Sequence, residues 1–556
     1  MLKVCSKETV YMHTRDGVRL DADVYRPDAI GEFPVLLMRQ PYGREIASTV
    51  VYAHPIWYAA QGYIVVIQDV RGRGTSEGEF KLFAREIEDG EDSVNWAVNL
   101  PGSNGKVGMY GFSYQGMTQL YAAAAKPAAL KTICPAMIGY DLYTDWAYEG
   151  GAFCLQTNLA WAIQLATETA RIKGDTQAYQ ELFTAARNLP LYDHNPARPE
   201  VLKNFAPDSF YHDWLEHSNS DEYWEKLSPK TYLQDVDLPM FHIGGWFDAY
   251  LRGTLNLYRD MVGRNSQRQE LLIGPWTHLP WGRQAGEVDF GVKAASPVDQ
   301  MQIRWFDRFL KDINTGIFEE PTVCLFQIGT NSWRTFSEFP NPIHISYYFS
   351  SRGLASIRED SGQLTTNPDD HILNSVDVIV HDPWRPVPSL GGHAGLPAGS
   401  FERSHIDCRN DVLTYTTAPL DSVLRIAGEA IVEVWSEADT TSYDLCAVLS
   451  QVYPDGKVYN LTQGYIRCDR ESNPQPSNPT SPKHIKLQAT CAKIIKGNAL
   501  RISLSAACFP AYAMNTGSDL PMSSATLQDA KIITVKIYSG GEKASKLKLP
   551  VVSVSS

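Results

Sequence analysis

Short apolar runs alternate along the first third of the chain with stretches of helical spacing. Phe33-Pro34-Val35-Leu36-Leu37-Met38-Arg39 and Tyr63-Ile64-Val65-Val66-Ile67-Gln68-Asp69 are apolar almost throughout. Such runs are too short for helices and suit strands buried on both faces. A helical stretch is predicted between them, ending near Gln61-Gly62. From Glu86 to Leu100, residues Ile87, Val94, Ala97 and Val98 share one helical face, which Pro101-Gly102 stops. The run leading to Phe112 and the segment Lys131 to Ala136 read as two further strands. This rhythm implies an α/β fold, with a mostly parallel sheet covered on both faces. Ahead of it, residues 8–26 alternate around Arg15-Asp16-Gly17, the pattern of an antiparallel hairpin.

Between about 141 and 235 the rhythm stops. Trp, Tyr, Ala and Leu recur at helical spacing, broken by Pro190, Pro196, Pro199 and Pro207, as expected of a helical insertion lying over the strand ends. The α/β pattern resumes at Leu238 to Trp246 and again at Glu270 to Trp276, with a helix between them and another from about Pro297 to Lys311. One last strand is predicted within Thr322 to Phe336. After about 344 the texture changes to short alternating strands, among them Ile431 to Trp435, Arg501 to Ser505 and Ile533 to Ile537. A hairpin is predicted at Val452 to Val458 and a Ser/Pro-rich surface loop at 472–482. The expected division is an α/β unit of residues 1–140 and 236–343, a helical cap at 141–235, and a β-sandwich of jelly-roll type at 344–556.

Composition narrows the function more than the fold. The formal net charge of −13, with no cluster of Lys and Arg, argues against a nucleic-acid partner. No run is long and apolar enough to span a membrane, and the first residues lack a secretory core, so a cytoplasmic protein is expected. Nine cysteines, an odd number without CxxC pairs, fit buried thiols better than a disulfide framework or a zinc site. Neither a metal nor a cofactor is expected, since no HExxH, Walker or dinucleotide pattern is present. Edge strands in the sandwich leave a homo-oligomer open.

The candidate chemistry centres on Gly111-Phe112-Ser113-Tyr114-Gln115-Gly116. A strand, a turn of small residues with serine at its tip, and then helical spacing describe a nucleophile elbow, although the usual motif puts glycine where Gln115 stands. The alternative is a serine that merely caps a helix. A serine nucleophile needs a base and an orienting acid, expected later in the chain in the order acid, then histidine. Asp248 and His278 follow the strands ending at Trp246 and Trp276. Each also has a plain structural reading, as a helix cap and as a satisfied core histidine. His242 and His54 are weaker competitors, within a strand and upstream of the serine. The backbone N–H of Tyr114 is one candidate oxyanion donor. Tyr42, in Arg39-Gln40-Pro41-Tyr42-Gly43, either donates through its phenol or only packs.

Together with Gln68-Asp69-Val70-Arg71-Gly72, Gly244-Gly245-Trp246-Phe247-Asp248 and Gly274-Pro275-Trp276-Thr277-His278, these motifs resemble the cocaine esterase family of serine hydrolases, itself similar to X-prolyl dipeptidyl-peptidases and α-amino-acid ester hydrolases. The resemblance runs almost the full chain. It implies an α/β-hydrolase core, Ser113 as nucleophile, His278 as base, Asp248 as its orienter, and the Tyr42 hydroxyl with the Tyr114 N–H as oxyanion hole. The family writes its elbow Gly-x-Ser-Tyr-x-Gly, which accounts for Gln115. Trp146, Phe153 and Trp161 in the helical insertion are the candidate substrate-binding residues. The partner implied is a small-molecule ester or amide. A carboxylic ester hydrolase is the leading expectation, with an amide-directed peptidase or β-lactam acylase, and a non-enzymatic binding protein, as alternatives.

Overall fold

The computed structural model of the chain describes residues 1–45, 47–367, 374–469 and 481–552. The apolar runs of the first part line up in a ten-stranded sheet. Its first strands are β1 (Glu8–His13), β2 (Arg19–Tyr25), β3 (Phe33–Gln40), β4 (Ile64–Asp69), β5 (Ser103–Phe112) and β6 (Leu130–Ala136). β1 and β2 form the expected hairpin, and β2 runs antiparallel to β4. From β4 through β3 and β5 to β6 the pairings are parallel. Parallel neighbours require crossovers, which α1 (Pro55–Ala60), α2 (Glu86–Ala97) and α3 (Tyr114–Ala124) supply. Val35 to Met38 are wholly buried because both faces of the sheet are covered.

The helix after β3 ends where expected, with Gln61 as its C-cap. His54 precedes a proline and so is turned away from helical dihedrals, leaving Pro55 as the first helical residue and the six residues of α1 as the helix. The His54 ring accepts from the Ile56 N–H at 3.2 Å and caps it, which takes His54 out of contention as a base.

After β6 the chain leaves the sheet. A small hairpin, β7 (Tyr148–Glu149) and β8 (Ala152–Phe153), precedes α4 (Leu155–Lys173), α5 (Thr176–Arg187) and four shorter helices between Glu200 and Tyr232. It returns through β9 (Met240–Phe247), α10 (Leu251–Arg264) and β10 (Gln269–Thr277), with β9 parallel to both β6 and β10. The small hairpin of β11 (Gln284–Ala285) and β12 (Val288–Asp289) and then α11 (Val298–Leu310) lead to β13 (Val323–Gln327), parallel to β10. The single strand expected at 322–336 is instead two, since β14 (Ser332–Phe336) turns back antiparallel on β13. Gly329 and Asn331, at φ 87° and 49°, make that reversal.

Residues Ile343 to Val551 build a second, largely β domain, with an 11-stranded sheet and a three-stranded one. The predicted hairpin at 452–458 joins strands Tyr443–Val452 and Val458–Cys468. The Ser/Pro-rich stretch predicted as a loop lies outside the described residues, apart from Ser481 and Pro482. The two domains share a core: Trp246, Phe247 and Leu255 belong to one apolar cluster with Leu445, Leu487 and Ile502. The Ile328 N–H donates to the Cys491 carbonyl at 2.9 Å and the Lys493 N–H to the Ile328 carbonyl at 2.8 Å, so the interface is also backbone-bonded. No helix among the described residues is long and apolar enough to cross a membrane.

Candidate active site

Ser113 stands between the end of β5 and the start of α3 at φ 59°, ψ −127°, a conformation unusual for a residue with a side chain. Small neighbours make the turn possible. A Cβ on Gly111 would lie 2.5 Å from the Gln115 Cβ, and one on Gly116 would lie 2.4 Å from the Ile138 Cγ2. The Ser113 N–H donates to the Ala136 carbonyl, and its own carbonyl accepts from Gly116 and Met117, at 2.9 Å each. Ser113 is therefore an elbow residue. Its side chain makes no cap hydrogen bond to α3. The Tyr114 N–H, in the first turn, has no carbonyl one helical turn behind it to accept its hydrogen.

His278 Nδ1 and Asp248 Oδ1 are 2.8 Å apart. Asp248 is fully buried at the end of β9, while His278, just past β10, keeps partial access to a cavity. The Asp248 side chain goes to the imidazole; its carbonyl, by accepting from Leu251 N–H, serves the helix that follows. His242 is different: buried inside β9, it bonds Gln269 at 2.8 Å, and burial pushes its pKa down to about 4.

Tyr42 follows β3 and lines the same cavity as Ser113. The Trp161 indole N–H donates to the Tyr42 phenol oxygen at 3.0 Å. Burial raises the Tyr42 pKa to about 12 against the opposing pull of Trp161 and Ser113, so the phenol keeps its proton. The Tyr114 side chain points away, donating to Glu86 at 2.8 Å and stacking on Phe83 at 4.7 Å, which leaves only its backbone for the site.

Ser113, Tyr42 and His278 open on one cavity of about 1000 Å³. Trp146 and Trp161 line it, 5.2 Å apart, with Trp146 also 4.1 Å from Tyr250. Phe153 does not. It is wholly buried in β8 against Tyr148 and Tyr211, because the β7–β8 hairpin turns its aromatic face into the helical layer. Sequence reading missed Tyr250, two residues after the acid, although its place in that loop was a usable signal. It also missed the far wall, where His393, Leu396 and Phe401 arrive from the second domain. No local pattern marks those residues.

The described cavity lining contains no Asp, Glu, Lys or Arg. A carboxylate lies behind it. Glu149 accepts from Arg252 at 2.7 Å, His393 at 2.9 Å and Tyr512 at 2.5 Å. Burial alone would raise its pKa, but Arg252 and His393 hold it down to about 2. No metal-binding group of acidic, Cys or His side chains occurs among the described residues.

Residues 16–280 match the family profile of the X-Pro dipeptidyl-peptidase (S15 family), and residues 315–548 that of the X-Pro dipeptidyl-peptidase C-terminal non-catalytic domain. Cocaine esterase from Rhodococcus sp. (strain MB1 Bresler) is 29% identical, over 98% of this chain and 98% of its own. The chain belongs to the cocaine esterase-like hydrolase family. Two solved structures share the fold of this family member. An aminopeptidase from a marine sediment archaeon, Thaumarchaeota archaeon, superposes with a TM-score of 0.82 at 22% identity, covering 99% of this chain and 97% of its own. An α-amino acid ester hydrolase gives 0.78 at 23% identity, with the same coverage of 99% and 97%. The family assignment makes the protein a hydrolase; the cavity decides what kind of substrate fits.

Proposed function

We propose that the protein is a serine hydrolase that cleaves carboxylic esters through an acyl-enzyme on Ser113. The observation that carries this reading is the 2.8 Å bond between His278 and the buried Asp248, on a cavity that Ser113 and Tyr42 also line. A carboxylate on Nδ1 fixes the tautomer that leaves Nε2 free to accept the serine proton. Ser113 Oγ adds to the ester carbonyl, whose oxygen takes up the negative charge and receives hydrogen bonds from the Tyr42 hydroxyl and the Tyr114 N–H. The imidazolium protonates the leaving oxygen as its bond to carbon breaks. Water then attacks the acyl-enzyme, His278 takes its proton, and the acid departs as Ser113 regains its hydrogen.

The uncharged lining favours esters of neutral, apolar or aromatic acids. A free α-ammonium group would lose its hydration there and find no counter-charge among the described lining residues. That weighs against an aminopeptidase or an α-amino-acid acylase, the second reading that the family leaves open. In this proposal residues 1–140 and 236–343 are the α/β-hydrolase domain, 141–235 a helical cap carrying the pocket residues Trp146 and Trp161, and 344–556 a jelly-roll sandwich.

The test compares p-nitrophenyl butyrate with an Xaa-Pro p-nitroanilide, using parent and Ser113→Ala. The ester is expected to turn over and the anilide not, with activity and fluorophosphonate labelling both lost in Ser113→Ala. Ester turnover that survives in Ser113→Ala removes the serine from the mechanism. A preference for the anilide transfers the site to the peptidase reading.

A further inference from the structure

We infer that Gln488, in the domain whose profile is described as non-catalytic, is a positioning residue for the acid of the catalytic site; the inference rests on the serine-hydrolase reading above. Gln488 is buried where the second domain meets the catalytic sheet. Its Nε2 donates to the Trp246 carbonyl at 3.0 Å and to the Asp248 carbonyl at 3.1 Å. These carbonyls flank Phe247, so one amide grips the chain on either side of the point where β9 ends and the loop bearing Asp248 begins.

The grip is itself anchored. The Gln488 N–H donates to the Gln463 carbonyl at 2.9 Å, and its carbonyl accepts from the Thr462 hydroxyl at 2.6 Å, both on strand Val458–Cys468. On the other side, the Trp246 indole donates to the Phe326 carbonyl at 2.7 Å, tying the end of β9 to β13. Between these two holds, Asp248 has little of its own. Oδ1 meets His278, and Oδ2 is buried without a hydrogen-bond partner among the described residues. A carboxylate with one side-chain bond takes its direction from its backbone. Outer partners of this kind set the orientation of the groups that touch the reacting atoms. The second domain thus reaches the chemistry twice, by walling the cavity with His393, Leu396 and Phe401 and by holding the acid's loop through Gln488.

Two variants test this. Gln488→Met keeps the length and removes both donors, whereas Gln488→Asn keeps the amide but withdraws it by one methylene. Each is titrated with a fluorophosphonate, so that turnover of p-nitrophenyl butyrate is expressed per active site. Misplacement of the acid is expected to lower kcat on the order of 100-fold in Gln488→Met, and less in Gln488→Asn. KM should stay within about twofold, because substrate contacts are untouched. The downfield proton resonance of the His278 Nδ1–H, a signature of its bond to Asp248, should weaken or vanish in step with kcat. Parent-like turnover per titrated site, or an unchanged downfield resonance, overturns the inference. If Gln488→Met does not fold, the same readings on Gln488→Asn decide. Ser113→Ala keeps the two ideas apart. An inactive Ser113→Ala beside a fully active Gln488→Met sinks only the clamp, while an active Ser113→Ala sinks the serine mechanism and the clamp with it.

Discussion

Tyr42 is read from the sequence as either a donor or a packing residue, and the choice turns on one partner 119 positions away. The Trp161 N–H fills a lone pair of the phenol oxygen at 3.0 Å and holds the ring in place. With its pKa raised to about 12, the phenol remains a donor throughout the neutral range. Tyr42→Phe removes that donor and little volume, so its cost should fall on the transition state. We expect kcat for p-nitrophenyl butyrate to drop about 100- to 1000-fold, or roughly 3–4 kcal/mol, with KM nearly unchanged. Equal kcat in parent and variant would remove the phenol from the mechanism. Trp146, Phe153 and Trp161 were indistinguishable as aromatics at helical spacing. Packing separates them: Trp146 lines the cavity, Trp161 both lines it and steadies Tyr42, and Phe153 is core.

At the scale of elements, the elbow joining β5 to α3 holds the strain. Ser113 has a side chain where backbone dihedrals of φ 59° and ψ −127° suit glycine, at a cost of about 1–3 kcal/mol. Ser113→Gly relieves that strain and gives back only about 0.5–1 kcal/mol through the greater freedom of glycine in the unfolded chain. The variant should therefore be inactive yet more stable, by about 1 kcal/mol, with a higher calorimetric midpoint than Ser113→Ala. A midpoint at or below that of Ser113→Ala would mean that the turn is not strained. The strands around the elbow were legible because burial on both faces writes an unbroken apolar run, as in β3 and β4. The β13–β14 reversal was misread because a Gly-Asn turn, a local event of a few residues, outweighs the average character of the window.

Across the whole molecule, Glu149 ties three parts of the chain together. Its carboxylate receives hydrogen bonds from Arg252 of α10 and from His393 and Tyr512 of the second domain, while its own backbone lies in the β7–β8 hairpin. Its pKa is depressed from an ordinary 4.5 to about 2, so the folded state binds a proton less readily than the unfolded chain. The resulting stabilisation, about 3 kcal/mol, is complete above about pH 4.5 and fades as pH falls through 2. Glu149→Gln should consequently melt well below the parent at pH 7, since Arg252 is left without its counter-charge. The gap should narrow as pH is lowered from about 4.5 towards 2. A gap of the same size at pH 7 and pH 3 would assign the loss to packing rather than to charge. The same network pairs the Glu149 carboxylate behind the cavity wall with Arg252, in keeping with the uncharged lining from which uncharged acyl groups are expected.

The sequence by itself determined the α/β order of the first domain, the β texture of the second, and the candidates Ser113, Asp248 and His278. Each of these is written locally, as a run, a turn or a residue just past a strand. Tertiary structure alone decided that Asp248 meets His278 rather than capping a helix. It also decided that the phenol of Tyr42 is held by Trp161, that Phe153 is core, and that the second domain supplies a wall of the cavity and a grip on the acid's loop. Those outcomes depend on contacts between residues far apart in the chain. Hydrophobic periodicity records which face of an element is buried, but not what it is buried against.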